Sequence, residues 1–209
     1  METGAQGGIT IRPWLPSARQ LCRRALPIAF GILVMLPFRA PAAEVDGVQF
    51  PDKVRAAGTD LQLNGYGIRT YSFLGIHVYA AALYLEHLSD DPDKIIRSSE
   101  TKLLTIRFLH DVSADLAREA WREGFTNNCQ DPCRLDPNDV QQFLASVPAM
   151  RAGDEYSLLF RRHVATVTAN GQQIGSIPRA HMAEAMLATF LGPRSGALEL
   201  KLGLLGGRG

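Results

Sequence analysis

The sequence predicts an α+β protein with a mostly antiparallel sheet. Short runs rich in β-branched and aromatic residues, separated by glycine-containing turns, fill most of the chain between residues 45 and 109. Two segments with helix-start signals follow, and a hairpin signal and one more helical segment come after them. A run of strands followed by helices, without regular alternation, is typical of the α+β class.

The strand signals come in two blocks. Residues 45–88 contain strands broken by turns at Gly47, Gly58, Asn64-Gly65, Gly67 and Gly75, and residues 102–109 (KLLTIRFL) form another strand. After residue 154, two strands meet at a corner near residues 161–163. Asn170-Gly171, the strongest hairpin signal in the chain, then leads into the strand 172–177.

Three helices are predicted from their ends. Ser113 is an N-cap, and the helix that it starts is expected to end near Gly124. Asp136-Pro137 starts a second helix, since proline suits the first helical position. Pro178 starts a third, which Gly192 and Pro193 close.

The first 42 residues have the three parts of a secretory signal. Arginines precede the apolar run 25–38 (ALPIAFGILVMLPF), and Ala40-Pro41-Ala42 is a small-x-small cleavage triplet. The alternative is an uncleaved membrane anchor, but the run is short and holds two prolines. We therefore expect residues 1–42 to be a signal peptide and residues 43–209 a single domain. The mature protein would be periplasmic or secreted and would keep no membrane span.

The charge and cysteine content of the chain bear on three questions: nucleic acid binding, disulfide formation and metal binding. From residue 43 onward the chain has 17 Lys and Arg against 20 Asp and Glu, so no basic surface argues for nucleic acid. Cys129 and Cys133 stand in a polar loop sequence, where an oxidising compartment favours a disulfide over idle thiols. No metal site or cofactor is expected; a minor alternative, a haem or metal role, would pass through His77 or His181.

Several segments, in this order and spacing, resemble bacterial chalcone isomerase-like proteins. They are LNGYGIR (63–69), VYAAALYLE (78–86), Asp111-Val112-Ser113 before AREAWREGF, Gly153-Asp154, residues 170–177 and GLLG (203–206). The resemblance implies a layer of helices on one face of a large antiparallel sheet, with a cleft between helices and sheet. Plant relatives in this fold include true isomerases, fatty-acid-binding proteins and non-catalytic helpers.

Arg69 is the residue that the resemblance marks most clearly. A guanidinium is out of place in an apolar strand, and the family holds an arginine in its cleft, where it meets a substrate or a carboxylate. We expect Arg69 to bind an anionic head group, with Tyr71 and Tyr79 as further ligand-binding residues. The alternative is a structural arginine that pairs with an internal carboxylate or caps carbonyls at a strand corner.

The catalytic positions of the plant isomerases are not matched. The position of their threonine is Tyr79 or Ala81 here, depending on one gap. Their tyrosine and asparagine correspond in spacing to Trp121 and Asn128. We therefore expect a non-catalytic binding protein for an apolar molecule with an anionic head, such as a fatty acid. The alternatives are an isomerase or lyase acting on an enone- or flavonoid-like substrate, and an interaction or assembly protein with a vestigial cleft.

Overall fold

The fold is built on nine strands and five helices in a computed structural model that describes residues 42–71, 75–129 and 133–207. The strands are β1 (Ala42–Val45), β2 (Val48–Pro51), β3 (Lys53–Ala56), β4 (Thr59–Tyr71), β5 (Ile76–Leu85), β6 (Lys102–Phe108), β7 (Glu155–Arg161), β8 (Val164–Ala169) and β9 (Gln172–Ile177). The helices are α1 (Pro92–Arg97), α2 (Ala114–Asn128), α3 (Pro137–Ser146), α4 (Ala180–Leu191) and α5 (Leu198–Leu204).

Seven strands form one antiparallel sheet whose spatial order, β3 to β9, is also the order along the chain. Each strand therefore pairs with its sequence neighbours, and the helices occupy the connections or follow the last strand. Asn170 and Gly171 both have positive φ, 50° and 76°, as a tight hairpin between β8 and β9 requires. The predicted α+β class with an antiparallel sheet is confirmed.

One face of the sheet packs against the helices. In β6 every second residue is buried, from Lys102 to Phe108, as expected for a strand with one covered face. These side chains meet the buried residues of the helices in one apolar cluster, which includes Trp121 of α2 and Met186 of α4. We call this region the apolar layer.

The opposite face is partly covered by the β1–β2 hairpin. Phe50 of the hairpin packs with Leu61 of β4 and with Ala80, Ala82 and Tyr84 of β5. Strand β5 is thus covered on both faces, which explains why its sequence is an almost continuous apolar run.

The turns predicted at Asn64-Gly65 and at Gly67 are wrong, because β4 runs without a break from Thr59 to Tyr71. The pairing with β5 shifts between Leu63 and Gly65, so the strand holds an irregularity instead of a turn. The Asn64 side-chain amide donates to Ser89 O and Leu204 O, both at 2.9 Å. Residues distant in sequence therefore hold Asn64 within the strand.

The predicted end of the first long helix near Gly124 is also wrong, since α2 continues to Asn128. A side chain at position 124 would overlap Thr189 of α4, with its Cβ 2.8 Å from Thr189 Oγ1. Gly124 is therefore a contact point between two helices, and this packing offsets the roughly 1 kcal/mol that glycine costs inside a helix.

The predicted signal peptide lies outside the described residues, apart from Ala42, the first residue of β1. Within the described part of the chain, no helix is long and apolar enough to cross a bilayer.

Candidate functional site

Arg69 lies on the helix-facing side of the sheet, near the end of β4. Its register partner on β5 is Tyr79, whose own partner on β6 is Phe108. Residues paired in an antiparallel sheet project from the same face, so the three side chains form a row across three strands. The row borders the apolar layer, to which Phe108 and Tyr79 belong.

The Arg69 guanidinium donates a hydrogen bond from Nη1 to the carbonyl oxygen of Gly196, in the connection between α4 and α5. No acidic side chain of the described residues forms an ion pair with it. Arg69 is half-buried. Of the two structural alternatives, an internal carboxylate partner is therefore not found in the described chain, whereas contact with a backbone carbonyl is.

Tyr79 places a phenol beside this cation. Its ring meets Phe108 edge-to-face, with centroids 5.7 Å apart. Burial raises the pKa of Tyr79 to about 12, although the nearby Arg69 charge opposes that rise. The phenol is consequently a neutral hydrogen-bond donor throughout the physiological pH range.

Tyr71 differs from the other two predicted ligand-binding residues. It lies at the end of β4, opposite Ile76, and 57% of its surface is exposed. The register of the two strands shifts between Arg69 and Thr70. Tyr71 is therefore at the rim of the sheet, outside the buried part of the row.

Trp121 and Asn128, two turns apart on α2, have different roles. Trp121 is buried in an aromatic cluster with Phe125, Phe143 and Phe190. The Asn128 amide donates to Gly124 O at 3.0 Å and to Arg194 O at 3.4 Å, and its oxygen accepts from Arg194 N at 3.2 Å. Asn128 thus holds the same α4–α5 connection that Arg69 contacts.

Side chains of α5 fill the apolar layer beside the part of β4 that precedes Arg69. A Cβ at Gly65 would overlap the backbone of α5, at 2.7 Å from Gly206 N, and one at Gly67 would lie 3.4 Å from Leu200 Cδ1. Leu200 and Leu204 are completely buried there. Gly65 and Gly67 therefore let a helix approach a strand closely, since a glycine has no Cβ.

Two cavities of the described chain lie away from this row. One is a groove of about 220 Å³ between the starts of α3 and α4, lined by Arg134, Asp139, Arg179 and His181 among others. The other holds about 10 Å³ beside Lys102 and Glu184. Neither is lined by Arg69, Tyr71 or Tyr79.

Two buried polar residues escape the sequence analysis. Lys102 is 4% exposed, and its Nζ donates to Ser98 O at 2.6 Å; burial lowers its pKa. Tyr156 is 4% exposed, and its hydroxyl has no hydrogen-bond partner among the described residues. The alternating pattern of KLLTIRFL could have predicted the burial of Lys102, because Lys102 lies on the same face of β6 as Leu104 and Ile106.

The sulfurs of Cys129 and Cys133 are bonded to each other, with 5.1 Å between the two Cα atoms, just after α2. In the described residues, no group of three or more His, Cys, Asp or Glu side chains is arranged to hold a metal ion.

The protein belongs to the class in which helices pack on one face of an antiparallel sheet. In this chain the row of Arg69, Tyr79 and Phe108 places a cation at the edge of the apolar layer between sheet and helices. The chain belongs to the chalcone isomerase-like family, whose family model matches residues 42–206. This confirms the resemblance in the sequence. Among solved structures, a fatty-acid binding protein of Arabidopsis thaliana is similar, with a TM-score of 0.66 and 17% identity over 79% of this chain and 96% of that chain. No curated protein matches this chain.

Proposed function

We propose that this protein is an exported, non-catalytic binding protein for an apolar molecule with an anionic head, such as a fatty acid. The observation that carries the proposal is the position of Arg69, on the helix-facing side of the sheet and beside an apolar layer. A guanidinium there offers planar, charged donors to a carboxylate, while the adjoining surface suits an acyl chain.

Tyr79 supports the same ligand chemistry. Its phenol is neutral at physiological pH, burial raises its pKa further to about 12, and it stands directly across from Arg69 in the sheet. A cation and a neutral donor side by side fit a carboxylate, which accepts hydrogen bonds and donates none. The similar plant structure is named as a fatty-acid binding protein, and this adds to the proposal at the level of the fold.

The side chains near Arg69 favour binding over isomerisation. Neither candidate for the threonine position, Tyr79 or Ala81, is a threonine, and Trp121 is enclosed by phenylalanines. Isomerisation of an enone needs a positioned hydroxyl and water to move protons and to stabilise an enolate. Tyr79, opposite Arg69, offers a neutral phenol, whereas Ala81 and Trp121 carry no hydroxyl.

The test compares a carboxylate and a neutral ligand of equal chain length. Dodecanoate and dodecanol are titrated by calorimetry into wild-type protein and into Arg69→Met, which keeps much of the apolar stem. We expect dodecanoate affinity to fall about thirty- to a thousand-fold, equivalent to the roughly 2–4 kcal/mol of a partly buried charged pair. Dodecanol affinity should barely change, because it depends on apolar burial.

Arg107→Met is the matched control. Arg107 is an arginine of the same sheet, but it alternates with the inward residues of β6 and pairs with Glu155 at 2.6 Å. Its loss should leave dodecanoate affinity unchanged. Equal dodecanoate affinity in wild type and Arg69→Met would refute Arg69 as the head-group anchor.

One observation favours a second candidate, an interaction or assembly protein whose cleft is vestigial. The apolar layer beside Gly65 and Gly67 is filled by Leu200 and Leu204, and Arg69 already has a partner in Gly196. If neither dodecanoate nor dodecanol binds the wild-type protein, this second candidate replaces the first.

A further inference from the structure

The segment between α4 and α5, residues 192–197, is attached differently at its two ends; we call it the strap. At its start the Asn128 side chain forms two hydrogen bonds with the backbone of Arg194, and Lys201 Nζ donates to Gly192 O at 2.9 Å. A turn bond from Ser195 N to Gly192 O, at 3.2 Å, closes this first half. These four hydrogen bonds thus fix the start of the strap.

At the far end of the strap, Ala197 packs against the apolar layer and accepts from Lys201 N at 2.9 Å, and Gly196 contacts Arg69. The Gly196 carbonyl accepts from Arg69 Nη1, and a Cβ at position 196 would lie 3.7 Å from Arg69 Nη2, so both terminal nitrogens face this glycine. Gly196 is exposed and brings no side chain of its own. Among the described residues, Arg69 makes the side-chain hydrogen bond that holds this half of the strap.

The strap leads directly into α5, which fills the apolar layer. Leu198 follows residue 197, and two residues later Leu200 packs against Gly67 of β4. An acyl chain that enters the layer beside Arg69 must therefore displace the strap or the start of α5. The same guanidinium that would bind the ligand head holds this obstacle in place.

We infer that Arg69 exchanges partners, holding the Gly196 carbonyl in the closed protein and the ligand carboxylate in the open one. The inference rests on the proposed function and adds to it an opening coupled to the head group. A carboxylate is the stronger acceptor, because it carries a charge of its own and can accept from both terminal nitrogens of the guanidinium, whereas the Gly196 carbonyl is neutral. Asn128 keeps the start of the strap in place, so the strap opens at Gly196 and turns about Arg194.

The experiment measures backbone ¹⁵N order parameters at Arg194 and Gly196. In the ligand-free wild type both should have values typical of rigid backbone, near ~0.85. In ligand-free Arg69→Met, Gly196 should drop below ~0.6 while Arg194 stays rigid. Asn128→Ala should loosen Arg194, and Arg107→Met should change neither residue.

Ligand addition tests the exchange in the wild-type chain, so this part needs no variant to fold. Saturating dodecanoate should lower the order parameter of Gly196 as Arg69→Met does. Arg69-dependent binding of dodecanoate with Gly196 still rigid would overturn the exchange and leave the proposed function standing. A rigid Gly196 in ligand-free Arg69→Met would overturn the role of Arg69 in holding the strap. If no dodecanoate binds in the calorimeter, both proposals fail, and the affinity measurement identifies that case.

Discussion

At the scale of single residues, the pKa values of four buried side chains depart from their ordinary values. Burial raises the pKa of Tyr79 to about 12, and it raises the pKa values of Tyr84 and Tyr156 as well. Lys102 is the opposite case, because burial lowers its pKa. These four groups predict how stability depends on alkaline pH.

A raised phenol pKa means that the folded chain keeps a proton which the unfolded chain loses near pH 10. The stability due to Tyr79 is therefore fully present below about pH 10, and it is lost as pH rises towards about 12. We expect Tyr79 to account for a loss of roughly 2–3 kcal/mol in unfolding free energy across this window. Urea denaturation at a series of pH values measures the loss.

Tyr79→Phe is the matched variant, and its unfolding free energy should fall less over the same pH window. The contribution of Lys102 to the unfolding free energy changes with pH in the opposite direction. The unfolded chain keeps the ammonium proton to a higher pH than the folded chain, so this contribution rises with pH up to about 10.4. A slope that is the same in wild type and Tyr79→Phe would contradict the burial of this phenol.

The buried hydroxyl of Tyr156 has no hydrogen-bond partner among the described residues. A buried hydroxyl without a partner costs about 1–3 kcal/mol relative to a satisfied one, and an ordered water is the usual way to satisfy it. The sequence contains no sign of this, because Tyr156 alternates correctly with Leu158 and Phe160 on an inward face. Whether its hydroxyl has a partner depends on elements remote in sequence.

At the scale of elements, β4 and α5 pack backbone against backbone at Gly65. A Cβ at Gly65 would lie 2.7 Å from Gly206 N and 2.8 Å from Leu204 O, and both are backbone atoms that cannot rotate away. We expect Gly65→Ala to destabilise the protein by about 1–3 kcal/mol, the usual range for overpacking. Thermal or urea unfolding measures the change.

Gly175→Ala is the control for a strand glycine with space around it. Its Cβ would be 3.9 Å from the nearest atom, Val167 Cβ, which is an ordinary contact. This variant should stay within about 0.5 kcal/mol of the wild type. We call the part of β4 formed by Gly65 and Gly67 the glycine surface of β4. Similar stability in the two variants would show that the packing of α5 does not depend on this surface.

Elements with local causes are the ones that the sequence predicts correctly. Asn170-Gly171 forms its hairpin because both residues tolerate positive φ, and Ser113 starts α2 because its hydroxyl accepts from Leu116 N. Gly124 and Asn64 are mispredicted because their partners, Thr189 and Leu204, are far along the chain. Residues such as Asn and Gly tolerate the backbone angles of a turn but do not require them, so tertiary packing determines whether a turn forms there.

The same limit applies to the candidate site. The sequence singles out Arg69 as a charge within an apolar strand, and the structure places it opposite Tyr79. Its contact with Gly196 spans 127 positions and leaves no periodic signal, since it joins a side chain to a backbone carbonyl. Tyr71 fits the strand pattern equally well but lies at the exposed end of β4.

At the scale of the whole molecule, the remaining prediction concerns export. The arginines before residue 25, the apolar run 25–38 and Ala40-Pro41-Ala42 predict cleavage beside the first residue of β1. N-terminal sequencing of the protein recovered from the periplasm or medium should begin within a few residues of Ala43. A chain that stays in the cytosol with its first forty residues would contradict the prediction.

The order of strands has a consequence for synthesis. The sheet grows strand by strand in chain order, so each new strand finds its partner already made, and pairing between sequence neighbours favours fast folding. Helix α5 is the exception, because it covers β4, a strand synthesised more than a hundred residues earlier. A nascent chain that stops before residue 198 would have every strand in place and still expose the glycine surface of β4 to other chains. Ribosome stalling or a late frameshift would then yield an aggregation-prone product, although all nine strands are intact.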